Sequence, residues 1–286
     1  MISFVILHYK NIYDTLECIS SIRKNMISES YSIIVVDNNT LSDSEYKKLK
    51  EVCSDVIKLN KNLGFAKGNN MGCNYAIKKY NPDFICVLNN DTLILNNKFL
   101  EEIENKYKET KFDILGPKII TEDGDSVNPF YAYSTLKEIN EKIAYHQKLI
   151  NIYQNSVLRY MLKVYIKVKK IFVPKKRLMN GEKSMYDVAL HGCCLIFSKK
   201  YYKKFKDVFY EKTFLYHEEE FLDYRRRNNH LITYYDSDLE IFHKEGSSLN
   251  ETFKNNSDYE KLIFKNKEII KSLTILKNVI ENKIDI

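Results

Sequence analysis

Short apolar runs alternate with longer segments whose apolar residues recur every three or four positions along residues 1–116. The runs are typical of buried strands, and the recurring positions are typical of helices that face a core on one side. Strands are predicted at 2–7, 33–36, 56–59, 84–88 and 113–115, and a helical segment separates each from the next. This alternation predicts an α/β fold with βαβ units and a mostly parallel sheet flanked by helices.

A basic segment interrupts this rhythm between residues 121 and 185. Its first part is polar and rich in turn residues, and apolar residues between 152 and 172 then recur at helical spacing. The formal net charge is +7, and residues 143–181 contain nine Lys and Arg but no Asp or Glu. Such a helix can lie on an anionic membrane; the alternative is a solvated helix packed on its own domain. The local charge argues against a general nucleic-acid binder.

The strand and helix patterns resume in the last third of the chain. The segments 186–198, 231–235 and 239–242 resemble strands, and a helix is predicted to begin at Glu218. A charged helical tail follows from Ser257 and is expected to pack on the domain through one apolar face.

The amino-acid composition indicates a globular protein. The chain has 286 residues, of which 44% are hydrophobic and 29% charged, as expected of a globular protein with a substantial core. Its apolar runs are too short for a membrane-spanning helix, and the first strand begins without a secretory signal pattern. The six cysteines include no CxxC pair, so reduced, buried thiols are expected rather than structural zinc. These features predict a cytoplasmic protein.

Carboxylates follow two of the predicted strands. Asp91 ends the polar triplet after strand 84–88, and Asp37 directly follows strand 33–36. Ligands of open α/β sheets bind at the carboxyl ends of parallel strands, where a carboxylate can hold a divalent metal or accept a hydrogen bond from a nucleoside. The alternative role for both residues is to turn the chain and cap the next helix.

Two further clusters carry candidate chemistry. Gly64, Gly68 and Gly72 begin a helix, where backbone N–H groups favour phosphate, although neither G-x-G-x-x-G nor a P-loop is present. The triplet Glu218–Glu220 opens another helix and resembles a general-base site, the alternative being a solvated acidic first turn. His243 follows a strand and is a candidate metal or diphosphate ligand, although a single His is more often structural.

These clusters, in this order, resemble family 2 glycosyltransferases, particularly the rhamnosyltransferase-like branch of bacterial surface-polysaccharide synthesis. The matching stretches are residues 5–9, 34–38, 62–70, 88–91, 192–196, 214–219 and 242–243, within roughly residues 1–120 and 186–250. The resemblance implies a GT-A fold. The nucleotide-sugar half is expected at 1–120, a basic helical insertion at 121–185, the acceptor half at 186–250 and a helical tail at 251–286.

The resemblance also implies roles for individual residues. Asp37 would recognise uracil or thymine, Asp91 and His243 would bind Mg²⁺ or Mn²⁺, and Glu219, with Glu218 beside it, would act as the base. The residues expected to contact the donor are His8, Tyr9, Asp37, Asn39, Asn62, Gly64, Lys67, Gly68, Asn69, Asn89, Asn90 and Gly192. The family's acidic metal motif is reduced here to Asn89-Asn90-Asp91.

The implied reaction is direct displacement with inversion. A base deprotonates a hydroxyl of a saccharide acceptor, free or lipid-diphosphate-linked, which attacks the anomeric carbon of a dTDP- or UDP-sugar. Peripheral contact with the inner face of a membrane is expected through residues 143–181. Two alternatives stay open: a catalytically silent nucleotide-sugar-binding or scaffolding subunit, and a sugar nucleotidylyltransferase. The second should have a Gly-rich, Arg-containing loop after its first strand, where this chain has His8-Tyr9-Lys10-Asn11.

Overall fold

A single twisted sheet organises the protein. The computed structural model describes residues 1–26, 30–124, 126–132, 135–161, 179–244 and 258–286. Within these ranges nine strands form the sheet in the order β3-β2-β1-β4-β8-β6-β9-β5, with β7 on β9. The strands are β1 Ile2–His8, β2 Tyr31–Asp37, β3 Asp55–Lys58, β4 Phe84–Asn89, β5 Thr92–Ile94, β6 Ile114–Thr121, β7 Met185–Tyr186, β8 Cys194–Ser198 and β9 Thr233–His243.

Helices cover the sheet and extend beyond one end of it. They are α1 Ile12–Asn25, α2 Asp43–Val52, α3 Gly64–Tyr80, α4 Phe99–Thr110, α5 Leu136–Gln154, α6 Lys199–Lys204, α7 Glu218–Asn229 and α8 Asp258–Glu281. The capping box predicted for α2 is confirmed, since the Ser42 side chain accepts from the Glu45 N–H and the Glu45 carboxylate accepts from the Ser42 N–H. Thr135 and Glu138 form a second capping box, which starts α5 within the segment expected to be a basic helical insertion.

The direction of β8 differs from the simplest expectation of the sequence. Strands β3, β2, β1 and β4 are parallel, whereas β8 pairs antiparallel with both β4 and β6. The amino end of β8 therefore lies at the same edge as the carboxyl ends of β1, β2 and β4. The two strands expected at 231–235 and 239–242 are one continuous strand, β9, whose pairing with β6 shifts register at Pro117/Lys118.

Two of the predicted phosphate-binding glycines instead allow α3 to pack closely on the sheet. A Cβ at Gly68 would lie 2.6 Å from Leu7 Cδ1. A Cβ at Gly72 would lie 2.5 Å from Val5 Cγ1 and 2.7 Å from Val36 Cγ2. Both glycines allow close helix-to-sheet packing, against the end of the Leu7 side chain at Gly68 and against two branched side chains at Gly72. Their role in binding a ligand stays a prediction.

A third apolar cluster lies outside the sheet and ties the tail to the rest of the protein. Ile139 of α5, Phe221 of α7 and Leu273 of α8 are buried against one another, as the predicted apolar face of the tail requires. All six cysteines are free thiols, and all but Cys53 are buried, as expected.

Part of the basic segment, residues 162–178, lies outside the described residues, as do residues 245–257. In the ranges that are described, no helix is long and apolar enough to cross a membrane.

Candidate active site

The ends of β1 and β2 place His8 and Asp37 side by side at the carboxyl edge of the sheet. The two residues are partners in the strand register, and both are fully buried. Asp37 Oδ1 accepts from the backbone N–H groups of Thr40 (2.8 Å) and Leu41 (3.2 Å), which fixes the carboxylate. Its Oδ2 is buried and has no hydrogen-bond partner among the described residues. A buried acceptor in this state is costly unless a ligand satisfies it.

His8 belongs to a small polar network that reaches β4. Its Nδ1 lies 2.7 Å from Thr15 Oγ1, which also accepts from Asn90 Nδ2 at 3.1 Å. His8 Nε2 is buried and has no partner within the described part of the chain. Burial lowers the pKa of His8, against the smaller raising effect of Asp37, so its ring is neutral at pH 7. The network fixes the β1–α1 loop beside Asp37.

The start of α3 is held by the chain itself. Asn38 contacts the start of this helix: its Oδ1 accepts from Leu63 N–H at 2.8 Å. The N–H of Gly64 donates to Asn62 Oδ1, also at 2.8 Å. The next N–H, of Phe65, donates to a backbone carbonyl at 2.8 Å, so these three N–H groups are not exposed to a phosphate as the sequence had suggested.

Asn69 is the residue of α3 that retains an unsatisfied group. Its side chain is fully buried, and Nδ2 donates to Phe65 O at 3.1 Å. Its Oδ1 has no partner among the residues that the structure describes. Asn69 therefore joins His8 and Asp37 as a buried polar side chain with one atom left for a ligand.

Asp91 and His243 meet at the centre of the same edge. His243 Nε2 lies 3.1 Å from Asp91 Oδ1, and both side chains are buried. Burial lowers the pKa of His243, but hydrogen bonding to Asp91 and to the Cys193 thiol outweighs it, and the pKa is raised to about 10. The sequence prediction placed both residues at a metal site, and the structure brings them into direct contact.

The Asp91–His243 pair can supply part of a metal coordination sphere. A carboxylate oxygen and an imidazole nitrogen that has lost its proton are ligands that Mn²⁺ accepts, and Mg²⁺ takes the carboxylate readily. Because the pKa of His243 is raised, a metal ion at this pair would have to displace a proton from its ring. Among the described residues, no group of three or more His, Cys, Asp and Glu is arranged to hold a metal ion. A cation at this pair would therefore take further ligands from water and from a bound diphosphate.

The three acidic residues that open α7 point in different directions. Glu218 is buried, with Oε1 3.4 Å from Thr213 Oγ1, and burial followed by the charge of Glu219 raises its pKa to about 8. Glu220 lies 3.1 Å from His217 Nδ1. Glu219 alone turns to the sheet edge, where its Oε1 accepts from Gly192 N–H at 3.1 Å.

The turn before α7 has an unusual backbone. Tyr216 and His217 both have positive φ, 69° and 67°, although neither is glycine. Such residues are strained and persist where the surrounding structure holds them. Ser272 of α8 donates to Leu215 O at 2.8 Å, so the tail helix supports the turn that aims Glu219.

His191 is a site residue that the sequence analysis did not select. Its ring centroid lies 6.0 Å from that of His243, and the next residue, Gly192, contacts Glu219. A Cβ at Gly192 would lie only 3.1 Å from Glu219 Oε1, so glycine allows this approach. The only signal in the sequence was a His beside Gly192, and its relevance depends on the antiparallel direction of β8.

Contacts connect Asp37 to Glu219 across the sheet edge. From the β4 end, Asn89 N–H donates to Cys193 O at 2.9 Å, which fixes the start of β8 beside Asp91. Tyr9 is half-buried near this edge, whereas Asn39 and Lys67 are exposed on the surface. Of the predicted donor residues, His8, Asp37 and Asn90 are joined by strand pairing and hydrogen bonds, whereas Asn39 and Lys67 lie apart on the surface.

Comparison with known proteins identifies the family and the fold of the chain. The sequence model of the family described as Glycosyl transferase family 2 matches residues 3–205. The chain belongs to this family. The low-salt glycan biosynthesis hexosyltransferase Agl10 of Haloferax volcanii is 31% identical over 131 residues, which are 44% of this chain and 39% of that protein. The chain therefore spans about two fifths of that relative.

Solved structures of other glycosyltransferases share the fold. S. aureus TarS (residues 1–349, with UDP) aligns with a TM-score of 0.53 at 14% identity, over 93% of this chain and 64% of that chain. GalNAc-T7, solved with UDP, GalNAc and Mn²⁺, aligns with a TM-score of 0.55 at 12% identity, over 87% and 44%. The predicted GT-A architecture is confirmed.

Proposed function

We propose that this family 2 member transfers a sugar from a UDP- or dTDP-sugar to a saccharide hydroxyl, with inversion at the anomeric carbon. The observation that carries the proposal is the line of contacts from Asp37 through Asp91 and His243 to Glu219 along one sheet edge. It supports a single site with a nucleoside end and an acceptor end. The relative named as a hexosyltransferase supports a hexose as the sugar.

At the nucleoside end, Asp37 Oδ2 is an acceptor in need of a donor. Uracil and thymine present an N3–H group, whereas N3 of cytosine is itself an acceptor. Asp37 Oδ2 can accept a hydrogen bond from that N–H, beside the neutral ring of His8. This chemistry favours UDP and dTDP, and the UDP bound in TarS and GalNAc-T7 supports the same class of donor.

At the acceptor end, Glu219 takes the proton of the attacking hydroxyl. The hydroxyl oxygen bonds to the anomeric carbon while the bond from that carbon to the β-phosphate oxygen breaks, and the electron pair leaves with the diphosphate. Gly192 N–H orients the Glu219 carboxylate through Oε1. Asp91 and His243 would hold a divalent cation, which would supply positive charge to stabilise the departing diphosphate.

The test is a screen of UDP- and dTDP-sugars with Mn²⁺, with Mg²⁺ and with EDTA. We expect one donor to raise the melting temperature, because ligands of the native state stabilise it, and to release nucleoside diphosphate when a saccharide acceptor is added. Stabilisation without release in the presence of many acceptors would favour the silent binding subunit. Failure of every nucleotide sugar to bind would contradict the proposal.

We also propose that residues 143–181 face an anionic surface, either the inner face of a membrane or a lipid-diphosphate acceptor of bacterial surface-polysaccharide synthesis. In the described part of this segment, Val157, Tyr160 and Met161 expose 64%, 71% and 60% of their area. We expect the protein to float with phosphatidylglycerol vesicles and not with phosphatidylcholine vesicles. A Tyr160→Ser, Met161→Ser variant should float less, and equal flotation of both proteins would contradict a role for these side chains.

A further inference from the structure

We propose that His191 is a further residue of the donor site, where its Nε2–H donates a hydrogen bond to the donor's diphosphate. The inference rests on the proposed glycosyl transfer. His191 lies at the junction between the two ends of the site, since its ring faces His243 and its neighbour Gly192 holds Glu219. A side chain there is close to the groups that handle the bond to be broken.

Hydrogen bonding fixes the tautomer of His191. The backbone N–H of Cys193 donates to His191 Nδ1 at 3.2 Å, which requires a lone pair on that nitrogen. The ring is then neutral and carries its proton on Nε2. Nε2 is therefore a hydrogen-bond donor, as a ligand rich in phosphate oxygens requires.

The backbone of His191 is equally well fixed. Its N–H donates to Asn128 Oδ1 at 3.0 Å, and the buried Asn128 side chain donates in turn to Pro117 O at 2.8 Å. The β6 strand and the segment after it thus hold His191 in place through Asn128. A donor set before substrate binds needs little reorganisation when charge develops.

The composition of the metal site explains why such a donor is useful. In the part of the chain that the structure describes, no carboxylate besides Asp91 joins His243 in a group that could hold a metal ion, and the acidic motif that the resemblance implies is reduced to Asn89-Asn90-Asp91. Lys244, the cation that follows His243, is already paired with Asp14 (2.8 Å) and Glu17 (2.5 Å). When the bond to the β-phosphate oxygen breaks and its electron pair moves onto that oxygen, His191 Nε2–H stabilises the added charge without transferring its proton.

Two substitutions separate this role from a structural one. In His191→Asn, the amide oxygen can replace Nδ1 and still accept from Cys193 N–H, but no donor reaches the position of Nε2. In His191→Gln, the longer amide can place an N–H near that position. A residue that only supports the backbone should therefore tolerate Asn better than Gln, whereas a diphosphate ligand should tolerate Gln better than Asn.

The measurement is the affinity for UDP and for UMP, by titration calorimetry, with Mn²⁺ and again with EDTA. UMP lacks the β-phosphate, so the ratio of the UDP affinity to the UMP affinity measures what the β-phosphate contributes to binding. We expect His191→Asn to lower the UDP-to-UMP ratio about 10-fold with UMP binding unchanged, and His191→Gln to stay within about threefold of the unaltered protein. The fall in the UDP-to-UMP ratio should persist in EDTA, because His191 contacts the diphosphate directly. Any change in this ratio in His243→Ala should appear only when Mn²⁺ is present.

Several results would overturn the inference. An unchanged ratio in His191→Asn would do so, as would an equal loss of UMP and UDP affinity, which indicates a disturbed fold; melting temperatures identify that case independently. If the unaltered protein binds dTDP but not UDP, dTDP and dTMP serve as the pair. If it binds neither nucleoside diphosphate, the proposed function fails, and the role of His191 fails with it.

Discussion

The two proposed ends of the site, one for the nucleoside and one for the acceptor, are built in opposite ways. At the nucleoside end, His8, Asp37 and Asn69 each keep a buried polar atom without a partner among the described residues. At the acceptor end, each of the three glutamates that open α7 already has a contact within the protein. A buried polar atom without a hydrogen-bond partner costs folding free energy, so the first end suits a ligand that can hydrogen-bond to these atoms. The second is shaped to hold one carboxylate in a fixed orientation.

The largest expected effect tests which carboxylate of α7 is the base. Glu219→Gln should lower the rate of transfer about 1,000-fold, because removal of a general base has effects of this size. Its affinity for the donor should be retained. Glu218→Gln is the matched control, and its rate should stay within about threefold because Glu218 is buried against Thr213. The reverse order of the two rates would show that the base is one residue earlier.

The next effect tests the unsatisfied acceptor at the nucleoside end. Asp37→Asn should weaken UDP binding about 10- to 100-fold, because an amide N–H would oppose the N3–H of uracil. The amide oxygen can still accept from Thr40 and Leu41, so folding should be maintained. Binding of CDP should improve relative to UDP. Asp43→Asn, at an exposed position of α2, is the control and should leave both affinities unchanged.

A smaller effect separates packing from ligand binding at the glycines of α3. Gly72→Ala should destabilise the protein by about 1–3 kcal/mol, since the new methyl group would press on the branched side chains of Val5 and Val36. Urea unfolding measures this. Met71→Ala, at an exposed position of the same helix, should be nearly neutral. A loss of UDP affinity in Gly72→Ala without a loss of stability would restore a ligand role for this glycine.

The last effect is a change in how the free energy of unfolding depends on pH. The folded-state pKa of Glu218, about 8, lies above the ordinary value of 4.5, so the folded protein binds more protons than the unfolded chain between these values. Stability from this group is complete below about pH 4.5 and is lost as pH rises through 8, with a slope of at most about 1.4 kcal/mol per pH unit. Glu218→Gln should flatten the decline between pH 5 and 8. If urea unfolding gives the same dependence of unfolding free energy on pH for Glu218→Gln and for the unaltered protein, this prediction is wrong.

The sequence predicted what depends on neighbouring residues. The runs that form β1, β2 and β4 and the polar residues that end them, including Asp37 and Asp91, are local signals. The direction of β8 and the contact between Gly192 and Glu219 depend on pairing between distant segments, which no local pattern encodes. His191 was not selected for that reason. The helical insertion was expected, but the start of α5 at the Thr135 capping box was not located, because it lies in a polar stretch.

The position of β8 between β4 and β6 has a consequence for how the site tolerates change. Asp91 follows β4, and Gly192 precedes the neighbouring β8, so adjacent strands about 4.8 Å apart set the separation between the metal pair and the base. The pairing of the two strands therefore fixes this distance when the protein folds. An insertion of one residue in β8 would reverse the faces of its side chains and displace Glu219's anchor, although neither end of the site had been touched.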